Sequence, residues 1–75
     1  MENKKENFKR ISENRVSKIL ALLTQLANLS NSSFYEYTEE EIEKIFEAIN
    51  NEAQRSKDTL LKANEKKKKK KKFEL

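Results

Sequence analysis

The sequence contains no cysteine, histidine, glycine, proline or tryptophan. Without cysteine the chain has no disulfide and no thiolate metal ligand, and without histidine it lacks the commonest general base and the commonest remaining metal ligand. Tight turns, bulges and strand corners depend on glycine and proline, so their absence argues against all-β and α/β folds. These absences predict an all-α chain that holds no metal and no cofactor.

Candidate catalytic residues are few. Serine and threonine hydroxyls have no histidine to activate them, and Asp58 is the single aspartate. The glutamates that most resemble a catalytic carboxylate pair, or half of a two-metal site, are Glu40, Glu43 and Glu47. A di-iron helical bundle also needs a Glu-x-x-His motif, which a sequence without histidine cannot make. No glycine-rich loop is present to bind a phosphate. We therefore expect no enzyme activity and no small-molecule substrate.

Long apolar runs are also missing from the sequence. None approaches the roughly 20 residues that a membrane span needs, and the stretch MENKKENFKR is too polar for a signal peptide. These features predict a cytoplasmic location. Lysine and asparagine supply 22 of the 75 residues, and their A-rich codons are typical of AT-rich genomes. Small proteins of this composition are frequent in phages and other mobile elements, so the composition favours such a source.

The first predicted helix spans residues 12–30. Ser12 suits the N-cap position, and Glu13 suits the positive end of the helix dipole. At about 100° per residue the apolar side chains fall on one face nearly half the helix circumference wide. This leucine face consists of Val16, Ile19, Leu20, Leu22, Leu23, Leu26, Ala27 and Leu29.

The second predicted helix spans residues 38–64 and begins at the sequence YTEEEI. Thr38 and Glu41 have the spacing of a capping box, and Tyr37 is placed to pack on Ile42. The helix carries an apolar stripe interrupted by Ser56. Its members are Ile42, Ile45, Phe46, Ile49, Ala53, Leu60 and Ala63.

The loop between the two helices spans residues 31–37. Asn31 is expected to take the left-handed conformation that glycine usually supplies at a helix end. The aromatic residues Phe34, Tyr35 and Tyr37 are expected to cover one end of a helical hairpin, because loop aromatics beside apolar helices usually join the core.

Together these elements predict a basic arm at residues 1–10, an antiparallel two-helix hairpin at residues 11–64, and a disordered lysine-rich tail at residues 65–75. A helix packed on one neighbour buries a stripe about 100° wide, and the leucine face is wider. Leaving Leu22 and Leu29 in water forfeits about 2 kcal/mol for each side chain. We therefore predict a homodimer that forms a four-helix bundle. A different protein that completes the same core is the alternative.

The charges are distributed unevenly. Residues 1–65 carry ten basic and twelve acidic residues, so the lysine run alone makes the chain positive. Glu40, Glu43 and Glu47 form a row at helical spacing, which we call the glutamate row, and no basic residue is expected to neutralise it. This pattern favours a non-enzymatic protein-interaction module. One specific form is a phage or mobile-element inhibitor of a host nucleic-acid enzyme, because an acidic row can occupy a groove meant for phosphates.

The alternative function is that of a dimeric nucleic-acid-binding accessory protein. Its phosphate contacts would come from the basic arm and the lysine run, without base readout. The residues are Lys4, Lys5, Lys9, Arg10, Arg15, Lys66, Lys67, Lys68, Lys69, Lys70, Lys71 and Lys72. The run is more often a solvated tail that aids solubility. Polybasic tails also attract anionic membrane surfaces, but we expect no membrane partner here.

The segment NFKRISENRVSKILALL, followed by a second helix, is similar in order to the ribbon-helix-helix repressors. That resemblance implies a short basic strand, two helices and an intertwined DNA-binding dimer. Residues 4–10 do not alternate polar and apolar, and the loop at 31–37 is long and lacks the usual glycine. The residues themselves therefore favour the helical hairpin.

Overall fold

The structure, a computed structural model, describes the backbone of residues 3–72 and the side-chain exposure of residues 3–65. Helix α1 spans Lys4–Ala27, a 3₁₀ turn spans Asn28–Ser30, and helix α2 spans Glu39–Lys72. No strand occurs between residues 3 and 72, so the all-α prediction is confirmed. The chain divides into two units, Met1–Glu36 and Tyr37–Leu75, which are described separately.

Helix α1 begins eight residues before the start predicted at Ser12. Asn3 is the N-cap, and its Oδ1 accepts a hydrogen bond from the Glu6 amide at 2.8 Å. Ser12 lies inside the helix, where its Oγ donates to the Lys9 carbonyl at 3.1 Å. The prediction followed the apolar periodicity, which begins late, whereas a polar cap with an acidic residue three positions on starts the helix earlier.

The early start also changes the predicted basic arm. Residues 4–10 form the first turns of α1, while residues 1 and 2 lie outside the described residues. The short strand that a ribbon-helix-helix repressor needs is therefore replaced by helix at these positions.

Asn31 does not take the predicted left-handed conformation. Its φ of −67° and ψ of 101° are extended, and no residue from 3 to 72 has a positive φ. Its side chain makes the turn instead, because Oδ1 accepts from the Ser33 amide at 3.0 Å. The Asn31 carbonyl also accepts from the amides of Phe34 at 3.2 Å and Tyr35 at 3.1 Å. Asparagine thus closes the turn by local hydrogen bonds without backbone strain.

The start of α2 is the predicted capping box. The Glu41 amide donates to Thr38 Oγ1 at 3.1 Å, and the Thr38 amide donates to Glu41 Oε1 at 3.0 Å. Two backbone donors at the helix end are satisfied in this reciprocal way. The first turn also holds Glu39, Glu40 and Glu41, whose charges favour the positive end of the helix dipole.

Helix α2 continues eight residues past the end predicted at residue 64, whereas the sequence predicted disorder from residue 65. Lysine is a good helix former, and neither glycine nor proline is present to stop the helix. Positive charge near the C-terminal end also suits the helix dipole. Residues 73–75, the last part of the predicted tail, lie outside the described residues.

None of the side chains of residues 3–65 is buried in the single chain. The predicted core residues Leu23, Leu26, Ile42 and Ile49 are half-buried. The others on the two helix faces are exposed: Val16, Ile19, Leu20, Leu22, Leu29, Ile45 and Phe46. The hairpin pairing and the four-helix bundle stay predictions.

Candidate interaction surfaces

The leucine face of α1 is longer than the sequence predicted. Because α1 begins at Lys4, Phe8 and Ile11 lie on the same side of the helix as Leu22 and Leu26, whereas Leu29 lies in the 3₁₀ turn that follows. The exposed fraction of these residues reaches 63% at Phe8 and Leu22. Sequence reasoning missed Phe8 and Ile11, and the signal that reveals them is the Asn3 cap, which brings residues 4–11 into the helix. The face now extends over most of α1.

The apolar stripe of α2 is also open to solvent. Ile45 and Phe46 are each 42% exposed, and Leu60 is 61% exposed. Ser56 interrupts the stripe, and its Oγ donates to the Glu52 carbonyl at 2.9 Å, so its polar atom is satisfied within the helix. Every member of the stripe lies in one continuous helix, so the whole stripe can contact a single straight partner.

The glutamate row lies on α2 beside this stripe. Contrary to the prediction, a basic residue does pair with it: Lys44 Nζ lies 3.6 Å from Glu40 Oε1, one helical turn away. The two side chains are 75% and 79% exposed, so this pair contributes at most about 1 kcal/mol. One ammonium group and three carboxylates leave a net negative charge on the row. The side chains of Lys44 and Glu40 both stay accessible to a partner.

The basic residues of α1 do not form one surface. Lys4, Lys5, Lys9, Arg10 and Arg15 all lie in the first half of the helix. At about 100° per residue their positions extend round roughly two-thirds of the circumference. Arg10 also donates from Nη2 to Asn7 Oδ1 at 2.8 Å. A flat phosphate backbone therefore meets only part of this set at once.

The lysine run, Lys66 to Lys72, lies in the last two turns of α2. Seven consecutive helical positions occupy every side of a helix, so the run does not define one face. A run of identical lysines also supplies no set of different side chains with which to distinguish one base from another.

The loop aromatics remain in solvent in the single chain. Phe34 is 78% exposed, Tyr35 is 49% exposed and Tyr37 is 45% exposed. The rings of Phe34 and Tyr35 tilt towards each other, with centroids 6.5 Å apart and planes at 58°. This geometry is a favourable aromatic pair. Their predicted role in covering the end of a hairpin stays a prediction.

No three carboxylates between residues 3 and 72 come together in a way that could hold a metal ion. No helix in the same range is long and apolar enough to cross a membrane. Comparison with protein-family models, with curated proteins and with solved structures gives no match to this chain.

Proposed function

We propose that the chain is a small non-enzymatic protein-interaction module that works as an assembly. Two copies form hairpins that join their apolar helix faces in a four-helix bundle, and the glutamate row of α2, through Glu40 and Glu47 above all, stays outside to bind a second, basic protein. The lysine run is a solvated extension that keeps the assembly soluble.

One observation carries this proposal: no side chain of residues 3–65 is buried within either unit, although both helices carry long apolar faces. A stable fold needs a desolvated core, because burial of apolar side chains offsets the loss of conformational entropy. Exposed apolar area of this kind marks a surface that binds another macromolecule. A second copy is the simplest companion, since closed two-fold dimers are the commonest assemblies.

Light scattering coupled to size-exclusion chromatography tests the assembly. We expect a dimeric mass at micromolar concentration, with a single cooperative unfolding transition. A monodisperse monomer of 8.9 kDa that unfolds cooperatively would contradict the proposal. A monomer that unfolds without cooperativity but becomes cooperative on adding its partner would instead identify a core completed by a different protein.

The specific partner class that we propose is a nucleic-acid enzyme with a basic groove. A glutamate row on a rigid helix presents carboxylates at intervals of one turn, and such a row competes with phosphates for a cationic surface. The composition rich in lysine and asparagine supports a phage or mobile-element source for an inhibitor of this kind.

Inhibition of a purified DNA polymerase with a basic groove provides the test. Changing Glu40 and Glu47 to lysine should abolish inhibition, because the row becomes repulsive to the groove, while Glu43 beside the apolar stripe is kept. The matched control changes Glu13 and Glu65 to lysine, which alters the net charge equally but leaves the row intact. Equal loss in both variants would show that net charge, rather than the row, carries the effect.

A second candidate function, a nucleic-acid accessory protein, is favoured by the seven consecutive lysines alone. A mobility-shift assay on duplex DNA at about 150 mM salt, where non-specific contacts weaken, separates the possibilities. Binding that survives removal of residues 66–75 would indicate a docking face on α1. Complete loss would assign the binding to the lysines, and no shift with the full chain would end this candidate.

A further inference from the structure

We propose that α2 pairs with α2 of a second copy in antiparallel orientation and in one register, which places Glu43 of each copy against Lys57 of the other. This inference rests on the self-association proposed above and specifies its geometry. It predicts which residues meet and which direction the helices run.

The apolar stripe of α2 follows a heptad pattern. When Ile45, which flanks the seam, is left out and Ser56 is included, its positions from Ile42 to Ala63 alternate steps of four and three, the spacing that places side chains along one seam of a coiled coil. The seam consists of Ile42, Phe46, Ile49, Ala53, Ser56, Leu60 and Ala63. All seven lie within one uninterrupted helix, so a partner helix can follow the seam over its full length.

The sizes of the seam residues fit an antiparallel partner. With residue 51 at the two-fold axis, Phe46 faces Ser56 of the second copy and Ile49 faces Ala53. Each large side chain thus meets a small one, which lets the helices keep an even separation and interdigitate. This alternation holds for the four inner layers; the next layer pairs the large residues Ile42 and Leu60, and beyond it Ala63 faces Glu39 of the second copy.

The charges beside the seam agree with the same register. Glu43 and Lys57 occupy equivalent flanking positions, and the antiparallel register brings each against the other across the interface, twice per dimer. Asn50 meets Asn50 of the second copy close to the axis. Across the axis on the other flank, Glu52 faces its own copy, and Arg55 lies 3.4 Å from it on the same helix. Opposite charges therefore meet at both ends of the interface, where Glu43 faces Lys57.

A parallel pair fits less well. It would place Phe46 against Phe46 and Ala53 against Ala53, so wide and narrow layers would alternate. It would also align the two glutamate-rich halves and set one lysine run beside the other, which is repulsive. Size and charge thus select the same orientation.

Single-cysteine crosslinking tests the register directly, because the natural sequence contains no cysteine. We expect Asn50→Cys to form a covalent dimer with a short bismaleimide linker, since the two copies of residue 50 lie near the axis. Ser56→Cys should not crosslink, because the two copies of residue 56 are about 15 Å apart along the antiparallel helices. If the helices pair in parallel, Ser56→Cys should crosslink and Asn50→Cys should not, because Ser56 would then face Ser56 of the second copy.

Each other outcome overturns the proposal. Crosslinking at residue 56 alone indicates a parallel pair, crosslinking at both positions indicates pairing without a fixed register, and crosslinking at neither shows that α2 does not pair with itself. Light scattering on the same samples separates this last result from a failure of the proposed function, because a dimer that does not crosslink must associate through another face. Circular dichroism of both variants verifies that α2 remains helical.

Charge reversal provides an independent measurement. Glu43→Lys and Lys57→Glu should each weaken the dimer severalfold, and the double variant should restore it, because the pair is re-formed with opposite polarity. The matched control, Glu47→Lys with Lys62→Glu, changes charges away from the seam and should show no such rescue. If the double variant at Glu43 and Lys57 lost dimer affinity by the sum of the two single effects, the proposed contact would be contradicted.

Discussion

Polar side chains at the ends of the helices determine where each helix begins. Asn3 Oδ1 accepts from the Glu6 amide at 2.8 Å, and Thr38 Oγ1 accepts from the Glu41 amide at 3.1 Å. Both pairs have the same spacing, a polar cap followed by glutamate three residues later. The reciprocal bond from the Thr38 amide to Glu41 makes the second cap the more complete one.

We expect Thr38→Ala to lower the free energy of unfolding by about 1 kcal/mol, since the first-turn amide of Glu41 loses its acceptor. Urea titration followed by circular dichroism, at fixed protein concentration, measures this loss. The control is Thr59→Ala, whose hydroxyl donates to the Arg55 carbonyl in the middle of α2 and caps nothing. Equal effects of the two substitutions would argue against a special role of the capping box.

A second prediction at the residue scale follows from the backbone conformation of Asn31. Because its φ is −67°, glycine brings no relief of strain and removes the acceptor of the Ser33 amide. Asn31→Gly should therefore destabilise the assembly by roughly 0.5–1 kcal/mol, while Asn31→Asp keeps the acceptor and the stability. The urea midpoints of the two variants measure the difference. A gain in stability with glycine would indicate a left-handed residue instead.

At the scale of the elements, periodicity predicted where apolar side chains lie better than where helices end. The positions of Leu22 on α1 and Ile49 on α2 follow from spacing alone. The start of α1 did not, because the apolar face on which the prediction relied begins at Val16, while Asn3 acts through one local hydrogen bond. Of the candidate surfaces, spacing predicted the glutamate row, but the Lys44 pair depends on a side-chain conformation that spacing does not specify.

The leucine face supplies the prediction for α1. Leu22→Gln should weaken self-association at least tenfold, because a side chain that is 63% exposed in one copy is expected to be desolvated in the dimer. Sedimentation equilibrium measures the dissociation constant. Ala21→Gln places the same side chain on the polar side of α1 and should leave association unchanged. Comparable weakening in both variants would show that the leucine face is not the contact surface.

At the scale of the whole molecule, neither unit has a buried side chain among residues 3–65, and we therefore propose that folding is coupled to association. In the proposed dimer, mass action would contribute to the stability of each chain. This link was inferred from the width of the leucine face, whereas the identity of the companion surface is not encoded in any local pattern of either helix.

We predict that the thermal midpoint rises with protein concentration, by an amount equivalent to about 1.4 kcal/mol of dimer stability for each tenfold increase. Circular dichroism melts over a hundredfold range of concentration measure this rise. A midpoint that stays constant over that range would mean that a single copy folds alone.

The open apolar faces also bear on how the protein accumulates in a cell. Newly synthesised chains that have not met one another are good substrates for proteases, whereas chains in a completed assembly are shielded from cleavage. In the proposed dimer, the lifetime of each chain should therefore lengthen as the rate of synthesis rises. Steady-state abundance should then increase more steeply than gene dosage, so cells with few copies of the gene should hold disproportionately little protein.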